Sequence, residues 1–298
     1  MELTFLGTSS MVPTKDRSHS ALFIKYQNQG ILMDCGEGTQ RQMKITGIKL
    51  TDITKILISH WHGDHILGLP GLLQTMSSSS NTYSGVLELY GPPGIKKNFD
   101  MLKEALTFEL TFELKIIEVK PGTIFQNNDF KIETAKLDHS VTSFGYSIVE
   151  TDKMRIKTDV IKKLGIPHGP LLGKLQEGKN IKWKDKTITP EKATTLSKGK
   201  KLTIIADTSL CKSCIDLADE ADILICESTY TNSLQEKAEK YKHLTAGQAG
   251  LIANKANAKK LILTHFSQRY KNTQQIEEDA RDVFDNVTSA KDFMKVSL

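Results

Sequence analysis

Residues 59–65 read SHWHGDH, a stretch that places three histidines and one aspartate within six positions of a chain with only eight histidines in 298 residues. The stretch follows directly on an apolar run. Alternate residues of an extended segment point to the same side, so His60 and His62 can approach one metal ion. Asp64 and His65 lie where the chain must turn toward a helix, and they can face a second ion. The stretch therefore predicts metal binding at the end of a strand.

Four ligands cannot complete two metal sites, so further ligands are expected where other strands end. Three residues of ligand type do follow apolar runs, which places them at one edge of the predicted sheets. Imidazole and carboxylate ligands without sulfur suit zinc, with manganese and iron as alternatives. The sequence therefore predicts a bound metal pair. The three further candidates are His139 in KLDHS, Asp207 in IIADTS and His265 in LILTH.

The composition is that of an ordinary globular protein, with 39% hydrophobic and 25% charged residues. No apolar run approaches the length that spans a bilayer, and the first residues do not resemble a secretion signal. We expect a cytoplasmic protein without a membrane partner. The four cysteines are too few for a disulfide framework. Cys211 and Cys214 form a lone C-x-x-C pair, for which two reduced thiols near a helix start are favoured over metal or redox chemistry.

Positive charge is concentrated in one segment. Residues 151–201 contain fourteen Lys/Arg and five acids, whereas the whole chain carries a net charge of only +5. Such an asymmetry is typical of a polyanion-binding appendage, although a solvated lysine-rich insertion without a partner remains an alternative. Glycines and a GIPHGP cluster interrupt any long apolar face here, so regular alternation of strands and helices is expected to break down within the segment.

The rest of the chain alternates strands and helices, which predicts an α/β fold in two halves, 1–150 and 202–298, with a basic arm inserted between them. The predicted strands are 2–6, 20–26, 30–34, 55–59, 86–90, 113–119, 129–136, 142–150, 202–206, 222–226 and 261–264. The predicted helices are 38–46, 66–76, 95–107, 233–241, 245–256 and 274–284.

The order of the candidate ligands resembles that of the metallo-β-lactamase fold, and further motifs extend the resemblance to ribonuclease Z, the tRNA 3′-processing endonucleases. The resemblance runs over nearly the whole chain. The metal motif is specific only for the superfamily, whereas the motifs of the arm and of the last third narrow it to this nuclease. The motifs are FLGTSSMVPTKDRS (5–18), DCGEGTQRQ (34–42), SHWHGDH (59–65), GPLLGKLQEG (169–178), ADTS (206–209), CESTY (226–230), HLTAGQA (243–249) and LTHFSQRY (263–270).

The resemblance implies an αββα sandwich, one domain over 1–298, with 151–201 as the tRNA-binding arm. It implies two zinc ions per subunit in a homodimer whose arm presents tRNA to the partner's site. The reaction would remove the 3′ trailer of precursor tRNA and leave a 3′-hydroxyl on the tRNA and a 5′-phosphate on the trailer. The implied ligands are His60, His62 and His139 for one ion, Asp64, His65 and His265 for the other, and Asp207 between them.

The resemblance also implies roles for other residues. Asp64 would be catalytic as well as a metal ligand, and His243 would be a general acid oriented by Glu227. Asp34 would accept a hydrogen bond from a ligand histidine. The Glu227 motif departs from the family pattern, since it reads CEST instead of a HEAT-like sequence. Ser18 stands where the family often has Asn, which leaves open how precursors bearing CCA are treated. The implied substrate contacts are Lys15, Arg17, Ser267, Arg269, Gly169 and Pro170.

Two alternatives remain at this point. A phosphodiesterase of the same fold that acts on small or cyclic nucleotides would share the ligands but would not need the arm. A non-catalytic tRNA-binding protein would keep the arm but would not need a complete set of ligands.

Overall fold

The computed structural model describes residues 1–78, 83 and 85–298. Strands and helices alternate through both halves of the chain, as predicted, and these residues form two sheets of seven strands. No helix among them is both long and apolar enough to cross a bilayer. The sequence also predicts a surface loop at the serine run 77–80; Ser77 and Ser78 instead end the helix Leu69–Ser78, and residues 79 and 80 lie outside the described residues.

The first sheet is built from the apolar runs of the first half and one strand from the chain end, in the order β18-β1-β2-β3-β4-β5-β6. Its first strands pair antiparallel, and β3 to β6 pair parallel, with Leu32 opposite Ile56. The carboxyl ends of β3 and β4 therefore lie side by side. The strands are β1 Glu2–Gly7, β2 Ala21–Tyr26, β3 Gln29–Met33, β4 Ile53–Leu57, β5 Val86–Gly91, β6 Glu113–Glu118 and β18 Lys295–Ser297.

The second sheet has the order β17-β16-β15-β14-β9-β8-β7. Strands β14 to β17 are parallel, with Ile205 opposite Cys226 and Cys226 opposite Leu263, so the residues that follow these strands meet at one edge. The strands are β7 Gly122–Gln126, β8 Phe130–Leu137, β9 Ser143–Glu150, β14 Lys201–Ile205, β15 Ile223–Glu227, β16 Leu261–Thr264 and β17 Val287–Ser289.

Helices cover one face of each sheet. Met43 and Leu72 belong to the core of the first sheet, and Ile252 and Ile276 to that of the second. Residues of both sheets line a cavity of about 40 Å³, so the sheets face each other and the predicted αββα sandwich is confirmed. The helices of the two halves are α1 Thr39–Thr46, α2 Gly63–Ile66, α3 Leu69–Ser78, α4 Ile95–Leu106, α8 Lys212–Ala218, α9 Gln235–Tyr241, α10 Ala246–Lys255 and α11 Gln274–Arg281.

The predicted continuous helix over 66–76 is wrong. The chain forms the short helix α2, and α3 starts only at Leu69. Gly68 lies between them against the DCGEG loop, where a Cβ atom at Gly68 would come within 2.0 Å of the carbonyl oxygen of Gly36. The Gly68 amide also donates to the Cys35 carbonyl at 2.9 Å. This tertiary contact separates the two helices.

The basic segment belongs to a second compact unit of residues 126–131 and 149–200. The expectation that regular structure breaks down here is wrong. Ile161, Leu175, Ile181 and Ile188 form a small core of their own, because short elements can each contribute one or two buried residues. The elements are β10 Lys153–Ile156, α5 Thr158–Leu164, α6 Pro170–Gln176, β11 Ile181–Trp183, β12 Lys186–Ile188, α7 Pro190–Ala193 and β13 Thr194–Ser197.

Candidate metal centre

The ligands of the HWHGDH motif fall into two pairs with different backbone conformations, as the sequence predicts. His60 and His62 lie in extended chain beyond β4, and Asp64 and His65 lie in the first turn of α2. His60, Asp64 and His65 are each no more than 3% exposed. The DCGEG loop holds this turn, because the Cys35 amide donates to the His65 carbonyl at 2.8 Å. The two pairs of side chains are thus presented in two directions from one short segment.

One group of facing ligand atoms contains His60, His62, His139 and Asp207. His62 Nδ1 lies 3.0 Å from His60 Nε2 and 3.3 Å from His139 Nε2. Asp207 Oδ2 lies 3.7 Å from His60 Nε2 and 4.0 Å from His139 Nε2. The ligand atoms of residues that follow strands β4, β8 and β14 therefore face one another.

A second group contains Asp64, His65, Asp207 and His265. His265 Nε2 lies 3.3 Å from His65 Nε2 and 3.3 Å from Asp64 Oδ2. Asp207 Oδ1 lies 3.5 Å from His65 Nε2 and 3.3 Å from His265 Nε2. Asp207 is common to both groups, and each of its two oxygens faces a different group.

The chemistry of these atoms fits divalent cations. Burial lowers the pKa of His60, His62 and His139, which keeps their imidazoles neutral and their lone pairs available. His62 Nδ1 faces a nitrogen of each of the other two rings, and its single proton or lone pair cannot satisfy both. Asp64 Oδ1 and Asp207 Oδ1 are buried and accept no hydrogen bond from the residues described. Such orphaned oxygens beside converging nitrogens are the environment that a metal ion completes.

Hydrogen bonds orient four of the ligand rings, as is usual at metal sites, and one of them joins His60 Nδ1 to Ser59 Oγ at 3.0 Å. The contact predicted for Asp34 is present, at 2.7 Å between His65 Nδ1 and Asp34 Oδ2. Two other partners were not predicted from the sequence. His139 Nδ1 lies 2.8 Å from the Lys242 carbonyl, and His265 Nδ1 lies 2.9 Å from Thr229 Oγ1. Thr229 stands two residues after Glu227 within the CESTY motif, and this position is a sequence signal that points to it.

Backbone strain also accompanies the site. Asp34 and His265 adopt positive φ angles of 57° and 61°, a region that residues with a side chain seldom occupy. Each of these residues directly follows a buried strand, β3 and β16 respectively. The sheets therefore hold both side chains in an orientation that the chain would not favour on its own.

His243 and Glu227 form the pair that the sequence predicts. His243 Nδ1 lies 3.1 Å from Glu227 Oε1, which also accepts the Thr208 amide at 2.9 Å. Burial alone would lower the pKa of His243, but the charge and hydrogen bond of Glu227, with the charges of Asp207 and Asp64, raise the pKa to about 9. His243 Nδ1 is 3.8 Å from Asp207 Oδ2, so the pair borders the ligand groups.

The predicted substrate contacts lie in different places. Arg269 Nε donates to Ser267 Oγ at 3.2 Å, close behind His265 in the chain. The Arg17 guanidinium lies 5.4 Å from the Phe266 ring centre and lines a separate pocket of about 740 Å³. Lys15 is exposed within the turn closed by the Thr14 amide and the Arg17 carbonyl. In the arm, Gly169 is the N-cap of α6 and Pro170 is its first residue.

The C-x-x-C pair lies at the start of α8, as predicted, with Cys211 as the N-cap and Cys214 in the first turn. Their sulfur atoms lie 3.2 Å apart, and Cys214 is buried. The hydrogen bond from Cys214 lowers the pKa of Cys211 to about 5. The pair belongs to neither ligand group described above.

Comparison with known sequences finds relatives that match along the whole chain. A relative named ribonuclease Z from Methanothermobacter thermautotrophicus is 40% identical over 299 residues, covering 100% of this chain and 97% of the relative. One of the same name from Bacillus cereus is 38% identical over 301 residues, covering 98% and 97%. A family model described as Anti-Pycsar protein Apyc1 matches residues 1–166, which include His139 but not Asp207.

Solved structures agree with the sequence comparison. Human tRNase Z, short form, superposes with a TM-score of 0.73 at 31% identity, covering 100% of this chain and 99% of that chain. The metallo-β-lactamase fold protein YhfI from Bacillus subtilis has a TM-score of 0.72 at 20% identity, covering 99% and 98%. The second likeness shows the fold alone.

Proposed function

This chain belongs to the ribonuclease Z family of tRNA 3′-processing endonucleases, and we propose that its two ligand groups bind two zinc ions that serve the cleavage of precursor tRNA. The observation that carries the proposal is the position of Asp207. Its two oxygens face different ligand groups, which is what a residue that bridges two ions must do. Manganese or iron would fit the same nitrogen and oxygen donors.

His60, His62 and His139 would hold one ion, and Asp64, His65 and His265 the other. Divalent ions held there would lower the pKa of a bound water and offset the negative charge of a phosphodiester. The chain supplies the orientation of these ligands. Asp34 Oδ2 lies 2.7 Å from His65 Nδ1 and orients the imidazole ring. The Nε2 atom of His65 therefore faces Asp207.

His243 would be the general acid. Its Nδ1 atom is occupied by Glu227 at 3.1 Å, which leaves Nε2 to donate a proton. The carboxylate of Glu227 raises the pKa of His243, which favours the protonated ring that a general acid requires. The proton would go to the ribose oxygen that leaves as the 3′-hydroxyl of the tRNA, while the trailer keeps a 5′-phosphate.

Ser267 and Arg269 would hold the scissile phosphate. Arg269 donates from Nε to Ser267, and its remaining guanidinium nitrogens offer the planar pair of donors that matches phosphate oxygens. Lys15 and Arg17 would contact the 3′ end of the tRNA from a loop near the start of the chain. The residues after His265 would therefore bind the phosphate, whereas the early loop would recognise the end of the tRNA.

The basic segment 151–201 would be a tRNA-binding arm. A precursor tRNA is a polyanion much larger than the pocket at the ligand groups, so lysines outside the pocket can add affinity through the RNA backbone. Gly169 and Pro170 start a helix within this unit and would shape its tip. We further propose a cytoplasmic homodimer in which the arm of one subunit grips the tRNA that is cut by the other.

Cleavage of a defined precursor tRNA, with both product ends mapped and with and without a chelator, tests the proposed reaction. We expect one cut after the discriminator nucleotide, a 3′-hydroxyl on the tRNA, and loss of cleavage with chelator. Cleavage that persists without metal, or products that carry a 3′-phosphate, would contradict the mechanism. The small-nucleotide phosphodiesterase alternative predicts hydrolysis of small phosphodiesters with no cut in the precursor.

The proposed role of the arm in tRNA binding is tested by removing positive charges from its surface while its core stays unchanged. Lys162, Lys163 and Lys174 belong to α5 and α6, and all three are exposed. Changing all three to serine should raise KM for precursor tRNA and make binding less dependent on salt. The matched control changes three lysines outside the arm. An equal effect of both triple variants would show that only net charge matters, and the arm would lose its assigned role. The control lysines are Lys96, Lys97 and Lys120.

A further inference from the structure

We propose that Tyr241 is a stacking surface for one of the two nucleobases that flank the scissile phosphate. This inference rests on the proposed function, since it takes the ligand groups to be the place where RNA is cut. Neither the family motifs of the sequence nor the hydrogen bonds of the centre assign a role to this tyrosine.

The position of the ring supports the proposal. A pocket of about 280 Å³ is lined by ligands of both groups, by His243 and by Tyr241. A phosphate that reaches the ligands must enter this pocket, so its neighbouring nucleotides must pass the pocket walls. Tyr241 is 50% exposed, which leaves ring surface available for contact.

The backbone of this segment is tied to the ligands. Tyr241 is the last residue of α9, and Lys242 turns the chain with a φ of 54°. The carbonyl of Lys242 faces His139 Nδ1 at 2.8 Å, and the Lys242 ammonium binds Asp138 at 2.7 Å. The tyrosine is therefore held one residue away from a contact to a ligand histidine, which fixes its distance from the reacting phosphate.

The charges beside the ring suit RNA. The ammonium groups of Lys237 and Lys240 lie over the Tyr241 ring, 5.9 Å and 5.7 Å from its centre. Lysine side chains are flexible, so they can move to the phosphates of bound RNA while a base takes the ring face; an aromatic ring with cations close by is the combination that binds unpaired nucleotides. Met11 is 55% exposed and lines the same pocket, so a second apolar side chain is available to the base.

A base is the occupant that these features select. Stacking accepts any base, since every base has a π face, and it therefore suits an enzyme that must cut many precursors. A substrate without a base next to the scissile phosphate would gain nothing from the ring. Tyr241 would thus add to the recognition of unpaired RNA without reading its sequence.

A cycle of protein and RNA changes tests the proposal. The proteins are the wild type, Tyr241→Ala and Tyr241→Phe, each loaded with zinc. The substrates are an intact precursor tRNA and two precursors with an abasic nucleotide, at the discriminator or at the first trailer position. On the intact precursor, Tyr241→Ala should lower kcat/KM about 10- to 100-fold, whereas Tyr241→Phe should stay within about threefold of the wild type.

The test asks whether the protein substitution and the missing base affect kcat/KM independently of each other. If Tyr241 stacks on a base, the alanine variant should lose almost nothing further on the precursor that lacks that base. The proposal would be overturned if Tyr241→Ala lowered kcat/KM on both abasic precursors by the same factor as on the intact precursor. It would also be overturned if Tyr241→Phe were as impaired as Tyr241→Ala. If the wild-type protein does not cut the intact precursor, the proposed function itself fails. Melting temperature and zinc content, measured for each variant, identify a loss caused by misfolding.

Discussion

Replacing Asp34 by asparagine is expected to weaken the second of the two proposed metal sites more than the first, because Asp34 contacts His65 directly but reaches His60 only through the Ser59 hydroxyl. Asp34 Oδ2 lies 2.7 Å from Nδ1 of His65, a ring of the second ligand group. Its other oxygen accepts the Ser59 amide at 2.7 Å. Asparagine keeps the shape and one acceptor oxygen, but it removes the negative charge that strengthens the bond to the imidazole and increases its basicity.

The size of the effect follows from that one contact. A hydrogen bond to a charged group contributes about 1.5–3 kcal/mol, against about 0.5–1.5 kcal/mol for a neutral one. Loss of such a partner commonly costs about 10- to 100-fold in metal affinity, which corresponds to about 1.4–2.7 kcal/mol. We therefore expect the second ion to bind at least about tenfold more weakly in Asp34→Asn, and excess zinc to restore most of the cleavage rate.

The assay is a competition between the protein and a chromophoric chelator, which resolves two binding steps, combined with precursor cleavage at rising zinc concentration. Asp292→Asn is the matched control. Asp292 accepts the Ser18 amide at 2.7 Å and the Thr8 hydroxyl at 2.8 Å, with no ligand histidine among those contacts. Equal weakening of both sites by Asp34→Asn, or unchanged affinity at both, would refute the reasoning.

Three further predictions concern single side chains. His65→Ala should abolish cleavage but largely spare tRNA binding, measured by electrophoretic mobility shift; unchanged turnover would argue against a role for the second ligand group. His243→Ala should slow single-turnover cleavage about 10²- to 10⁴-fold while zinc content stays constant, and wild-type rates would make this histidine structural. Since the pKa of Cys211 is lowered to about 5, its thiolate persists above that pH, so alkylation by iodoacetamide should be nearly independent of pH above about 6 and slow about tenfold per unit below 5. The Cys211→Ser protein should show no such reaction, and a rate that climbs between about pH 7 and 9 would indicate an ordinary thiol.

The convergence of the ligands could be predicted because the residues that carry the chemistry closely follow apolar strands. His139, Asp207 and His265 each stand within three residues of a strand end, and parallel pairing brings the ends of β14 and β16 to one edge. Strand ends are fixed by the apolar pattern, and the edge is fixed by the direction of the strands. Neither step needed knowledge of tertiary contacts.

The features that could not be predicted depend on such contacts. The Lys242 carbonyl and the Thr229 hydroxyl orient ligand rings from turns, and the path of a turn is set by packing that no periodic pattern encodes. Gly68 separates two helices only because the DCGEG loop lies against it. Tyr241 ends a polar helix and would pass for an ordinary surface residue until its pocket is seen.

The folded arm could not be predicted for another reason. Its buried residues are spread over helices and strands of three to seven residues, too short for a period of 2 or 3.6 to stand out among lysines. A core as small as that of Ile161, Leu175 and Ile188 gives no long apolar face in the sequence. Composition identified the charge of the segment correctly, and composition says nothing about whether a charged segment folds.

The most direct measurement of the central claim is a titration of metal-free protein with zinc, in which bound zinc and precursor cleavage are followed together for the wild type and for Asp207→Asn. We predict that cleavage appears as two ions bind per chain, and that Asp207→Asn weakens both binding steps because Asp207 faces both ligand groups. Full cleavage by metal-free protein, or an Asp207→Asn protein that binds two ions as tightly as the wild type, would contradict the account.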